Sequence, residues 1–143
     1  MSKKPYGIAA YETAQRTVPQ IQAVVMLYDG MIRRIRGAAQ AAREGDLKRQ
    51  IEETMQAIRI IEGLNRSLDM EKGGKVAAGL RDTYWSTGGA LSRCIGRPEA
   101  AASCDKLAQA MSVLRDSWAE IAGVSLLGTD GGSEKGQAGD EAR

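Results

Sequence analysis

The chain has 143 residues, 43% of them hydrophobic and 27% charged, and a formal net charge of +2. That is enough for one buried core but not two, no apolar run approaches the roughly 20 residues that cross a bilayer, and the charge balance calls for neither nucleic acid nor membrane insertion. Histidine is absent, which excludes Ser-His-Asp and Cys-His nucleophile pairs, His-ligated zinc and the Glu-x-x-His di-iron chemistry of helical bundles.

The basic opening Met-Ser-Lys-Lys-Pro-Tyr leads into residues 7–20, which hold no apolar stretch of the kind a secretory signal needs, so the expected compartment is the cytoplasm (cytosol). Residues 6–15 predict a short helix with Ile8 and Tyr11 on one face and Gly7 weakening its start. Thr17 and Pro19 open a long amphipathic helix over 19–44, with Ile21, Val24, Tyr28, Met31, Ile32, Ile35, Ala38, Ala39 and Ala42 recurring every three or four residues. Gly45 fits its C-terminal cap and Asp46 the N-cap of the next helix. That helix, over 46–67, carries Leu47, Ile51, Met55, Ile58, Ile61, Leu64 and Leu68 as its apolar row, and Gly73-Gly74 reads as the turn after it.

A further helix is predicted over 75–96 from Val76, Leu80, Tyr84, Thr87, Leu91 and Ile95, stopping at Gly96-Arg97-Pro98. Gly88 and Gly89 lie in its middle, each costing about 0.5 to 1 kcal/mol relative to alanine, so it either bends there or lets a neighbouring backbone come close. The last helix, over 99–122, follows Ala100, Cys104, Leu107, Met111, Leu114, Trp118 and Ile121. Residues 127–143 are rich in Gly, Ser, Asp and Glu and are expected to be disordered. Four long helices joined by short turns predict an all-α chain, an antiparallel up-down-up-down four-helix bundle over 1–126 with the short N-terminal helix as a strap.

The residues offer little chemistry. Cys94 and Cys104 fit no CxxC spacing and read as small buried hydrophobes. Arg33, Arg34 and Arg36 lie off the apolar face and read as solvated charge. A phosphate loop ending at Lys75 would need glycine where Asp69 stands, and Glu52-Glu53 diverge on their helix and cannot act as a catalytic pair. A cationic pocket inside the bundle would need Arg or Lys at core positions, and the apolar rows hold none. No enzyme activity, metal or cofactor is expected. The surplus is apolar: Met26 and Leu27 widen one face, and Ile60 beside Ile61 and Leu64 widens another, and such faces form grooves that accept amphipathic helices.

Three stretches, Gly7-Ile8-Ala9-Ala10-Tyr11, Met26-Leu27-Tyr28-Asp29-Gly30 and Ser67-Leu68-Asp69-Met70-Glu71-Lys72-Gly73-Gly74, in this order and at these separations, resemble the flagellin-specific export chaperones of the FliS family. The likeness runs from about Gly7 to Ile121. It implies a bundle that binds the disordered C-terminal segment of flagellin, blocks premature polymerisation and passes its client to the export gate protein FlhA. By position it implies roles in client or gate binding for Ile8, Tyr11, Leu27, Tyr28 and Leu68, to which the widened face adds Ile61 and Leu64. It assigns structural roles to Asp29, Gly30, Asp69, Lys72, Gly73 and Gly74. Two departures stand out: Pro19 lies ten residues before Asp29 rather than the family's nine, and Tyr84-Trp85-Ser86-Thr87-Gly88-Gly89 replaces an aromatic, basic run. The free protein is expected to be a monomer or weak dimer. The alternative is a self-associating helical adaptor with no flagellin client.

Overall fold

A computed structural model of the chain describes residues 20–123. The helix expected over 6–15, with Ile8 and Tyr11, and the tail expected over 127–143 lie outside the described residues. Those described are all-helical, with no strand among them: α1 (Gln20–Arg43), α2 (Leu47–Arg66), α3 (Met70–Cys94) and α4 (Ala100–Ala122).

The punctuation between helices is local chemistry. At the end of α1, Gly45 takes φ 71°, its N–H donates to the carbonyl of Ala42 at 3.1 Å, and the N–H of Asp46 donates to that of Ala41 at 2.9 Å. These two bonds form the Schellman turn, in which a left-handed residue satisfies the last orphan carbonyls of a helix. Asp46 then caps α2, its carboxylate accepting from the Arg49 N–H at 3.0 Å. After α3, Gly96 takes φ 79°, and Pro98 precedes the start of α4 at Ala100.

α3 begins five residues earlier than its apolar pattern suggests. The Asp69 carboxylate accepts from the Lys72 N–H at 2.9 Å and the Asp69 carbonyl from the Gly73 N–H at 2.7 Å, which closes a first helical turn at Met70. The expected Gly73-Gly74 turn is a kink inside the helix: Gly74 has φ 51° and ψ −128°, a conformation that side-chain-bearing residues strongly avoid. A Cβ on Gly73 would meet the Ala77 Cβ at 2.6 Å. Asp69→Ala should cost about 1 kcal/mol by removing the cap, measured as a lower urea midpoint with unchanged slope.

The contacts divide into two units. Within residues 27–113, α2 packs against α3. α1 meets α2 where the Glu53 carboxylate lies over Gly37, 2.8 Å from where a Cβ would stand, and Arg34 pairs with Glu53 at 3.1 Å. α1 meets α3 through the hydroxyls of Tyr28 and Tyr84, 2.7 Å apart. It meets α4 through Arg36 and Ser112 at 3.4 Å and through an Arg43–Asp105 ion pair. The buried apolar residues here include Tyr28, Met31, Ile35, Leu64, Tyr84, Leu91 and Met111, with seven alanines from Ala38 to Ala108 packed among them at full or nearly full burial.

In the other unit, at the start of α1 and the end of α4, Gln22 Nε2 donates to the Ala122 carbonyl at 3.2 Å. Val25 and Ala119 are buried, and so is Arg115, which pairs with Asp116 at 3.4 Å. The apolar rows alone contain no such cation, because Arg115 lies between them.

The largest departure from expectation is the face that α2 buries. Leu47, Ile51 and Met55 are exposed, while Gln50, Thr54 and Ala57 are buried, and the expected row reaches the core only at Ile61 and Leu64. The two rows are neighbours on one helix, and the one with smaller side chains allows the tight approach seen at Gly37. Cys94 is half-buried and Cys104 buried, both free thiols. Burial, with Cys94 nearby, pushes the Cys104 thiol up to about 11, so it stays neutral near pH 7.

Candidate partner-binding groove

Between α2 and α3 lies a groove of about 520 Å³. α2 contributes Ile58 and Ile61, spaced three apart on one face, and α3 contributes Met70, Tyr84 and Trp85. Gly88 and Gly89 form a stretch of wall without side chains. α3 remains helical through this glycine pair, its non-helical backbone being at Gly74. Trp85 is 70% exposed and Met70 40%. An indole so wetted in a free protein is unusual away from binding surfaces. The charged rim consists of Glu62 and Arg66 on α2 and Arg81 on α3.

The groove does not end the apolar surface. Leu47, Ile51 and Met55 stand four residues apart on α2, and the row continues to Ile58 inside the groove. α2 is 20 residues long, about 30 Å at 1.5 Å per residue, so the exposed track can accommodate a helix of several turns.

The residues singled out in the sequence fall in different environments. Leu27 is 38% exposed, whereas Tyr28 and Leu64 are fully buried and present no surface. Ile61 is nearly buried but lines the groove. Leu68 and Asp29 are half-buried. Asp69 caps α3 through the Lys72 N–H, and the Gly73-Gly74 pair sets the kink already described. Gly30 approaches α2: a Cβ there would contact Ile60 Cδ1 at 3.5 Å. Periodicity alone pointed away from Met70, Trp85 and the exposed half of α2. The signals toward the groove were the widened face at Ile61 and the otherwise unfavourable Gly88-Gly89 pair in a helix interior.

Three charged residues, Glu62, Arg66 and Arg81, edge this otherwise apolar and neutral surface. Among the described residues no cluster of three or more His, Cys, Asp or Glu could hold a metal, and no helix is long and apolar enough to cross a membrane. Apolar walls, one wetted indole and a basic rim are the anatomy of a peptide groove.

The family model for the flagellar protein FliS matches residues 2–125. This chain belongs to the FliS family. FliS is a family of chaperones rather than of enzymes, and a curated relative, the flagellar secretion chaperone FliS of Salmonella typhimurium, is 34% identical over 82 residues. That alignment covers 57% of this chain and 61% of the relative, so the match spans about three fifths of the relative's length.

Proposed function

We propose that this FliS-family chain is a cytosolic export chaperone that binds the disordered C-terminal segment of flagellin, prevents its premature polymerisation, and delivers it to the flagellar type III export gate through FlhA. The observation that carries the reading is the exposed apolar track of Leu47, Ile51 and Met55 running into the Ile58–Trp85 groove. A disordered segment that folds on binding needs a long apolar surface to offset its ordering cost, and this track provides one. Flagellin's terminal segments build a filament by helix packing, so covering one of them removes the polymerisation surface. We read the four helices as an antiparallel up-down-up-down bundle. Leu27, Ile61 and Leu68 serve the client, and Ile8 and Tyr11 serve the handover to FlhA. Tyr28 and Leu64 support that surface from beneath, and Asp29, Gly30, Asp69, Lys72, Gly73 and Gly74 set its backbone.

The test is complex formation between the purified chain and monomeric flagellin of its own bacterium, intact and lacking the C-terminal segment, by size-exclusion chromatography with light scattering. A one-to-one complex with the intact client alone is the expected result. A dimer of the chain that ignores flagellin would instead support a self-associating adaptor, for which the same exposed track would be the interface.

A further inference from the structure

Gly88 is an anomaly with a consequence. It lies in the interior of a regular helix, where glycine is unfavourable, yet a Cβ placed on it meets nothing within 4 Å. The packing of the described residues therefore does not demand a glycine there. What it faces is the groove. Across from it on α2, Asn65 Oδ1 is buried without a hydrogen-bond partner, although Asn65 lines the same groove. A buried acceptor left unpaired is costly. Arg66, at the rim, has no ion-pair partner among the described residues, and Arg81 reaches only the adjacent Asp82 at 3.8 Å, leaving the rim short of carboxylates.

We propose that this groove is the specificity element of the client site, and that it selects a client helix whose backbone closes on Gly88. This deepens the flagellin reading above and rests on it. The matching client helix places a glycine or alanine over Gly88, because any larger side chain would hold the two backbones apart. It sets an apolar side chain one turn along, against Trp85. It offers a hydrogen-bond donor to Asn65 Oδ1 and turns a carboxylate toward Arg66 and Arg81. An extended segment satisfies the acceptor but leaves the apolar track beyond Ile58 uncovered. A second copy of this chain brings a single rim carboxylate, Glu62, against two rim arginines.

Gly79 provides an internal control, since it also lies within α3, is exposed, and has nothing within 4 Å of its would-be Cβ, but does not line the groove. Gly79→Leu and Gly88→Leu should both melt at or above the parent temperature, because leucine favours helix. Titration calorimetry of the full chain with monomeric flagellin should then show Gly88→Leu weaker by about ten- to a hundred-fold, the cost of overfilling a packed contact, and Gly79→Leu unchanged. Asn65→Leu should lose about tenfold. Parental affinity in Gly88→Leu would overturn the proposal while leaving the flagellin reading intact. A parent chain that binds no flagellin would overturn both.

Discussion

Replacing Trp85 by alanine is expected to weaken flagellin binding by about thirty-fold to several hundred-fold, with little change in the stability of the free chain. The two halves of this expectation come from the same number. At 70% exposure the indole contributes little to the folded monomer, and substitutions at such positions usually stay within about 0.5 kcal/mol. A tryptophan closed into a groove by a partner, by contrast, is among the side chains that dominate binding, at about 2 to 4 kcal/mol each. Ile58 and Met70 on the opposing walls are the surfaces the covered ring would share. Calorimetric titration of the variant and parent with the same flagellin, paired with thermal melts, separates the effects. Unchanged affinity would remove the groove from the client site, and a large fall in melting temperature would make Trp85 a structural residue.

Tyr28→Ala is expected to remove about 4 to 8 kcal/mol of stability, which is as much as many domains possess. Tyr28 has no exposed surface, and emptying a fully buried aromatic site costs about 3 to 5 kcal/mol. Its hydroxyl sits 2.7 Å from that of Tyr84, the rings tilted at 57° with centroids 6.3 Å apart. Truncation leaves the Tyr84 hydroxyl buried without that partner, adding about 1 to 3 kcal/mol. Tyr28→Phe isolates that second contribution, about 1 to 3 kcal/mol, and the double variant with Tyr84→Phe should cost less than the two single changes summed, the sign of a coupled pair. Burial, and then the Tyr28 hydroxyl, push the Tyr84 phenol well above its ordinary 10.0. The folded chain thus holds a proton that the unfolded chain releases, so this stability is complete below pH 10 and lost above it. Urea unfolding at pH 7 and pH 11 checks both claims, and an additive double variant would dissolve the pair.

The helix boundaries were legible because they rest on short-range chemistry. Gly45-Asp46 and Gly96-Arg97-Pro98 punctuate the chain through backbone conformations and caps that few other residues supply. Asp69 gives the same kind of signal by capping the turn that starts at Met70, and the glycine pair after it marks the break in helical backbone at Gly74. Which face a helix buries was less legible. On α2 two adjacent rows share the helical period, and hydropathy favours Leu47, Ile51 and Met55, whereas the fold buries Gln50, Thr54 and Ala57. Choosing between them requires knowing how closely α1 approaches, and that is set by Gly37 and Glu53 on two different helices. Trp85 was hidden for the same reason: exposure of a large ring is a property of its neighbours, not of its own segment.

The reversed face of α2 has a bearing on how long the molecule survives in a cell. With alanine, threonine and glutamine facing inward and leucine, isoleucine and methionine facing water, some of the apolar area that could deepen the folding minimum is left to whatever docks there. A bound partner then adds stability by mass action, about 2.7 kcal/mol when its free concentration is a hundred times the dissociation constant. Occupied and vacant molecules differ by that margin in how often they open to proteolysis, so the vacant pool turns over fastest. The amount of intact protein is thereby coupled to the supply of cargo, without a dedicated regulator.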